Sequence, residues 1–175
     1  MSEERIEKEK QKEKQKEEEI LEILEENART SNIEIARMVG FDEEEVKGII
    51  SDLEKRGIIR KYKAIIDYEK VGIETVQAMI EVKLSPERNT GYDSVAERIS
   101  RFSEVKSVRL VSGEYDLLVR AEGATMREVA YFVAEKIAPL EQVHNTVTHF
   151  LLKTYKENGE IYTEEEKGKR LAVTL

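Results

Sequence analysis

Two sets of residues in this chain have the types and spacing needed to hold a ligand. The first is basic. Arg56, Arg60, Lys61 and Lys63 fall in a stretch that contains no acid. Clustered cations of this kind meet phosphates, because the release of condensed counterions drives the association. Just upstream, Lys47, Ser51 and Lys55 recur every four residues, which places them on one face of a helix. From such a face lysine donates to a guanine edge, and serine reaches a base or a phosphate. The second set is Ser112, Gly113, Tyr115 and Asp116. A glycine turn exposes backbone amides that take a carboxylate, and an acid beside it holds an ammonium, so the group suits an amino acid. On these residues alone an ordinary hairpin with a capped turn is the better explanation.

Other chemistry is thinly represented. The chain has no cysteine, which excludes disulfides, thiolate metal sites and a cysteine nucleophile. His144 and His149 are the only histidines. Their odd spacing in an expected strand points them to opposite faces, where they cannot share one metal. There is no glycine-rich phosphate loop, no zinc spacing and no nucleophilic triad. We therefore expect no enzyme activity, no metal and no cofactor.

The formal charge is −8 over 175 residues, with 38% charged and 39% apolar side chains. Overall electrostatics repel nucleic acid, so DNA contact has to come from a local basic patch. Ile6 is the one apolar residue between Ser2 and Glu19, unlike the core of a signal peptide. No apolar run reaches the length of a membrane span. A soluble cytoplasmic protein without a membrane partner is the expectation.

The elements that must position these residues read as follows. Residues 1–17 form a charged extension, a solvated tail that becomes helical only by continuing the helix after it. Ile20, Leu21, Ile23 and Leu24 open the first apolar stripe. Ser31 and Glu34 have capping-box spacing at the start of a second helix, which Gly40 ends. Asp42 and Glu45 have the same spacing before a third, whose apolar stripe is Val46, Ile49, Ile50 and Leu53. Three short helices with a tight turn before the third make a helix-turn-helix over residues 18–60. Residues 61–74 read as a hinge strand or linker. Beyond them, alternation over 75–84 gives a strand. A helix from Tyr92 to Phe102, strands over 105–111 and 115–121, a helix from Met126 to Ile137 and a long strand over 141–154 follow. The order β-α-β-β-α-β is the ferredoxin-like arrangement, here spanning residues 75–156. Helices cover one face of such a sheet. The expectation is that the other face, on 75–84 and 141–154, is apolar and buried in a homodimer or higher homo-oligomer. Residues 157–175 read as a surface tail. The fold class is thus α+β: an N-terminal winged-type helix-turn-helix and a C-terminal ferredoxin-like domain.

This arrangement resembles the leucine-responsive and asparagine-regulator (Lrp/AsnC) family. The carrying residues run from Ile20-Leu21-Glu22-Ile23-Leu24 to Asn27-Ala28-Arg29, and through Leu53-Glu54-Lys55-Arg56-Gly57-Ile58-Ile59. Tyr62-Lys63-Ala64, Gly113-Glu114-Tyr115-Asp116 and Thr146-Val147-Thr148-His149-Phe150-Leu151-Leu152-Lys153 complete them. The resemblance covers roughly residues 18–156. It implies dimers, often assembled further, that bind DNA, regulate transcription and sense amino acids or related small molecules. It also implies that the turn at Gly113 holds the effector. One departure is visible. Many relatives carry a basic residue in the middle of the recognition helix, where this chain has Ile49, Ile50, Ser51 and Asp52. Between Asp42 and Arg56, six acids face three bases. That keeps a second reading open, a ligand-sensing oligomeric module with weak or lost DNA binding. A tetrapyrrole decarboxylase-like enzyme is the third, against which the scarcity of histidine speaks.

Overall fold

The computed structural model describes residues 3–85 and 91–162. The chain divides into two compact units, Met1–Ile66 and Asp67–Leu175. In the first, α1 (Glu3–Glu26), α2 (Asn32–Val39) and α3 (Glu43–Lys55) bury Ile20, Leu24, Ile35, Ala36, Val46 and Ile50 against one another. The Ser31 hydroxyl accepts the Glu34 N–H, and the Glu34 carboxylate accepts the Ser31 N–H at 2.9 Å, so the capping box at α2 forms. Gly40 ends α2 with φ 72°, a left-handed conformation that suits glycine. The box expected at α3 does not form. Asp42 makes no side-chain cap hydrogen bond, and the Glu45 carboxylate pairs with Lys16 of α1.

α1 starts at Glu3, so the charged extension is one helix with the segment that enters the core. Beyond α3 the chain turns at Gly57, where Ile58 donates its N–H to the Leu53 carbonyl at 2.9 Å. Residues 60–67 then run without a strand ladder. The hinge strand expected there has no neighbouring strand in its own unit to pair with, and a lone strand cannot satisfy its amides internally.

The second unit is an antiparallel sheet under helices. Its strands are β1 (Val76–Leu84), β2 (Val105–Leu110), β3 (Leu117–Gly123) and β4 (Val143–Phe150), in the order β2-β3-β1-β4. α4 (Asp93–Ser100) and α5 (Met126–Phe132) cover one face, α5 running on into a π-turn at Val133–Ile137 before Pro139. Ile80, Val82, Leu84, Leu117, Val119 and Ala121 point under the helices and meet Val95, Ile99, Phe132 and Ile137. Alternation along β1 and β3 therefore decides which face is core.

The other face differs from expectation. It carries Gln77, Met79, Glu81 and Lys83 on β1, Leu118, Arg120 and Glu122 on β3, and Asn145, Val147 and His149 on β4. It is a mixed surface, with His149 beside Glu81 at 3.2 Å, rather than an apolar sheet. β4 also ends earlier than expected, at Phe150. A bulge at His144 lets Asn145 face Lys83 and Val143 face Leu84. Past β4, Lys156–Glu157 (β5) and Glu160–Ile161 (β6) form a hairpin around Asn158-Gly159, both with positive φ. Asn-Gly is the preferred pair for such a turn. Glu157 of this hairpin pairs with Arg120 on the open face. The apolar end of the expected tail, Leu171-Ala172-Val173, lies outside the described residues.

Ile80 sits at the centre of this core with no exposed surface. Ile80→Ala should lower stability by about 2–5 kcal/mol, since it removes buried methyls and leaves a cavity. Urea unfolding followed by circular dichroism measures it, and a change below about 1 kcal/mol would contradict the assignment of this face as the core.

Candidate nucleic-acid interface and effector turn

α3 presents three faces. Val46, Ile50 and Leu53 are buried. A second row, Glu45, Asp52 and Arg56, is engaged with α1 or with itself. The Lys16 ammonium pairs with the Glu45 carboxylate and sits 4.7 Å from the centre of the Phe41 ring. The Arg56 guanidinium holds Glu17 at 2.6 and 3.1 Å, and Asp52 at 2.8 Å. These carboxylates raise the Arg56 pKa, Glu17 most, while the Lys16 hydrogen bond lowers the Glu45 carboxyl below its ordinary value.

The third face carries Lys47, Gly48, Ser51 and Lys55. Lys47 and Lys55 are exposed and Ser51 is half-buried. Lys47 lies 3.5 Å from Glu44, an exposed pair one turn apart that is worth little in water. A Cβ on Gly48 would meet nothing within 4 Å, so packing inside the chain does not require glycine there. Arg60, Lys61 and Lys63 follow on the exposed chain, with no ion pair among the described residues. Between them, Tyr62 donates its hydroxyl to Glu54 at 2.9 Å, and burial together with that acid raises its pKa. The structure thus brings Lys47, Ser51 and Lys55 onto one helix face and leaves Arg60, Lys61 and Lys63 open. It commits Arg56 to ion pairs. Sequence reasoning missed Lys16 and Glu17, because nothing local to α1 announces a partner on α3.

In the second unit, the expected effector residues lie in the β2–β3 turn. Ser112, Gly113 and Glu114 are exposed, and Gly113 has φ 146° with open space around it. Asp116 anchors the turn. Its N–H donates to the Val82 carbonyl at 3.0 Å and its carbonyl accepts the Val111 N–H at 2.9 Å. Its carboxylate accepts the Leu84 N–H at 2.8 Å and lies 3.5 Å from Lys83. Tyr115 is half-buried. No three His, Asp or Glu side chains among the described residues are placed to hold a metal.

Residues 14–60 match the winged helix-turn-helix DNA-binding model, and residues 77–161 match the Lrp/AsnC ligand-binding domain. An uncharacterized HTH-type transcriptional regulator of Bacillus subtilis (strain 168), YugG, is 50% identical over 157 residues, or 89% of this chain and 95% of the relative. The chain belongs to the Lrp/AsnC family of transcription regulators. Among solved structures, the Neisseria meningitidis regulator NMB0573 in complex with L-Met aligns with TM-score 0.66 at 27% identity. That alignment covers 81% of this chain and 91% of that one. Escherichia coli AsnC shares the fold, with TM-score 0.64 at 21% identity over 82% of this chain and 94% of its own. As an Lrp/AsnC protein the chain joins a DNA-binding unit to a ligand-binding unit, which correspond to the two compact units above. No described helix is long and apolar enough to cross a membrane.

Two outcomes are expected of this regulator. Gly48→Ala should stabilise the chain by about 1 kcal/mol through helix propensity, yet weaken DNA binding, because the added methyl fills open space on the outward face. Urea unfolding and a gel shift separate the two effects. The second concerns acid. Glu34 and Glu45 both titrate below their ordinary value of 4.5, held by Ser31 and by Lys16. The stability they add is complete above that value and disappears as pH falls through the lowered ones. Thermal melts should therefore show a smaller acid loss in Lys16→Met than in the parent chain.

Proposed function

We propose that the protein is a non-catalytic, cytoplasmic, sequence-specific regulator that docks α3 on DNA and senses an amino acid at residues 112–116. The observation that carries the DNA part is the run of exposed cations, Lys55, Arg60, Lys61 and Lys63, that directly follows a helix whose outward face bears Lys47 and Ser51. On this reading the cations of residues 55–63 meet phosphates and position the helix, while Lys47 and Ser51 meet base edges. Arg56 acts at one remove, fixing α3 against α1. Four of the six acids from Asp42 to Glu54, namely Glu44, Glu45, Asp52 and Glu54, have a partner on this chain, which weakens the reading without DNA binding.

The amino-acid part rests on the exposed turn and on the L-Met complex of a relative with the same fold. Asp116 already serves the Leu84 amide and Lys83, so we assign the ligand's carboxylate to the amides around Gly113 and its ammonium to the remaining edge of Asp116. We further propose a homodimer, assembling further. The support is the set of exposed apolar side chains that closes the first unit, Ile58, Tyr62, Ile65 and Ile66. Exposed apolar side chains grouped in this way favour association. The mixed open face of the sheet does not supply that argument.

A gel shift against DNA from upstream of its own coding region tests binding, and a salt titration tests its source. If Arg60 and Lys61 each meet one phosphate in a dimer, Arg60→Ala with Lys61→Ala should flatten the log–log salt slope by up to about 3.6. Sequence preference should hardly change. A retained slope would assign the segment to solvent. Calorimetry with methionine and related amino acids tests the turn: Gly113→Val, strained at φ 146°, should abolish binding that the parent shows. Unaltered binding by that variant would refute the site.

A further inference from the structure

We infer that Lys16 and Glu17 of α1 are positioning residues for sequence specificity, which hold the angle of α3 so that its outward face meets base edges. The inference rests on the reading of α3 as the helix that docks on DNA, and it adds two residues that act through that helix. Both are half-buried. Lys16 reaches the start of α3. Its ammonium pairs with Glu45 in the first turn and lies 4.7 Å from the centre of the ring of Phe41, in the turn between α2 and α3. Glu17 reaches the other end. Its two carboxylate oxygens accept hydrogen bonds from the two terminal nitrogens of Arg56, at 2.6 and 3.1 Å, and Arg56 is the C-cap of α3. Such a two-bond fork fixes direction as well as distance. Arg56 also holds Asp52 at 2.8 Å, so the fork is braced on its own helix too.

Apolar packing alone does not fix this angle. Ile20 and Leu24 of α1 share one cluster with Val46 and Ile50 of α3, and side-chain ridges packed in this way tolerate crossing angles scattered by about 15–20°. Eleven residues separate Glu45 from Arg56, about 16 Å of helix. A pivot of about 15° about the middle moves each end by about 2 Å. Donor–acceptor distances in a hydrogen bond vary by only about 0.5 Å, so a pivot of that size takes Lys47, near the start of the helix, off a base edge. One ion pair would leave α3 free to turn about it. Two, made by neighbouring residues of α1 to opposite ends of α3, oppose rotation in either sense. Their signs also fix the register. Lys16 takes an acid and Glu17 takes a base, so each repels the partner of the other.

The test compares Lys16→Met, Glu17→Gln and the two together with the parent chain. Each is titrated on a duplex from upstream of its own coding region and on a shuffled duplex of the same length, over a range of salt. Lys16→Met removes a positive charge and Glu17→Gln a negative one. Acting only through the field, they would shift affinity for both duplexes in opposite directions, and the double variant, unchanged in net charge, would bind like the parent. As positioning residues, both lower the ratio of the two affinities. The double variant should lower it by about tenfold, roughly the value of one base pair, and keep the salt slope. Exposed ion pairs add little to stability, so melting temperatures should stay near that of the parent. Lys16→Arg, which retains the charge and the ring contact, should keep the ratio. An unchanged ratio in the double variant would overturn the inference and leave the DNA-binding reading intact. So would equal losses on both duplexes with a large fall in melting temperature, the mark of a structural role alone. Failure of the parent chain to prefer its upstream duplex would overturn the sequence-specific reading as well.

Discussion

A helix that brings carboxylates toward phosphates must have them answered by cations of its own chain. α3 carries more acid than base, and that excess shapes the whole first unit. Lys16 answers Glu45, Arg56 answers Asp52, Lys47 stands by Glu44, and the Tyr62 hydroxyl takes Glu54. Because Arg56 also holds Glu17, the same ion pairs that mute α3 fasten α1 across it. Exposed pairs of this kind each contribute little to stability. Their effect is electrostatic and geometric: they remove charge that would repel DNA and they set the crossing of two helices already joined by Ile20, Val46 and Ile50. The cations left without a partner, Lys55, Arg60, Lys61 and Lys63, then determine the local sign of the surface.

The sheet unit solves a different problem. One face is closed by helices, so the alternation of β1 and β3 has a definite inside. The open face carries polar pairs across neighbouring strands, a hydrogen bond between His149 and Glu81 and the ion pair of Lys83 with Asp116, and such pairs support a sheet in water. Seven large exposed apolar side chains lie on the chain between α3 and β1, Ile58, Tyr62, Ile65, Ile66, Tyr68, Val71 and Ile73. That segment leaves apolar side chains exposed and, over residues 60–67, forms no strand ladder.

Periodicity made most of this legible. The three helices, the strand order and the buried stripe of α3 follow from spacing, and the turn residues Gly40, Gly57 and Gly113 all take the positive φ that only glycine adopts readily. What spacing could not show was choice among partners. Asp42 and Glu45 have the same capping pattern as Ser31 and Glu34, yet only Ser31 and Glu34 close the box, and Glu45 pairs with a lysine of α1 that its spacing does not announce. The apolar open face expected on 75–84 and 141–154 is absent: β1 presents Gln77, Met79, Glu81 and Lys83 there, and β4 ends at Phe150, with Leu151 still donating its N–H to the Gln77 carbonyl at 2.9 Å. The C-terminal hairpin was readable from Asn158-Gly159 alone, a turn signal passed over because charge on both sides suggested a tail.

The effector turn shows how a short polar residue is used twice. Asp116 ties the end of the β2–β3 turn to β1 through its own amide and its carboxylate. The base of the turn is thereby rigid, and only residues 112–114 stand free above it. A ligand binding at those amides orders little new backbone, so less of its binding energy is spent on conformational entropy. It also shares a carboxylate with Lys83 and the Leu84 amide. Drawing Asp116 toward an ammonium weakens its hold on β1, the central strand of the sheet. On the proposed reading, the residue that would hold the ligand's ammonium is therefore also the one through which occupancy would reach β1, the strand that pairs with both β3 and β4.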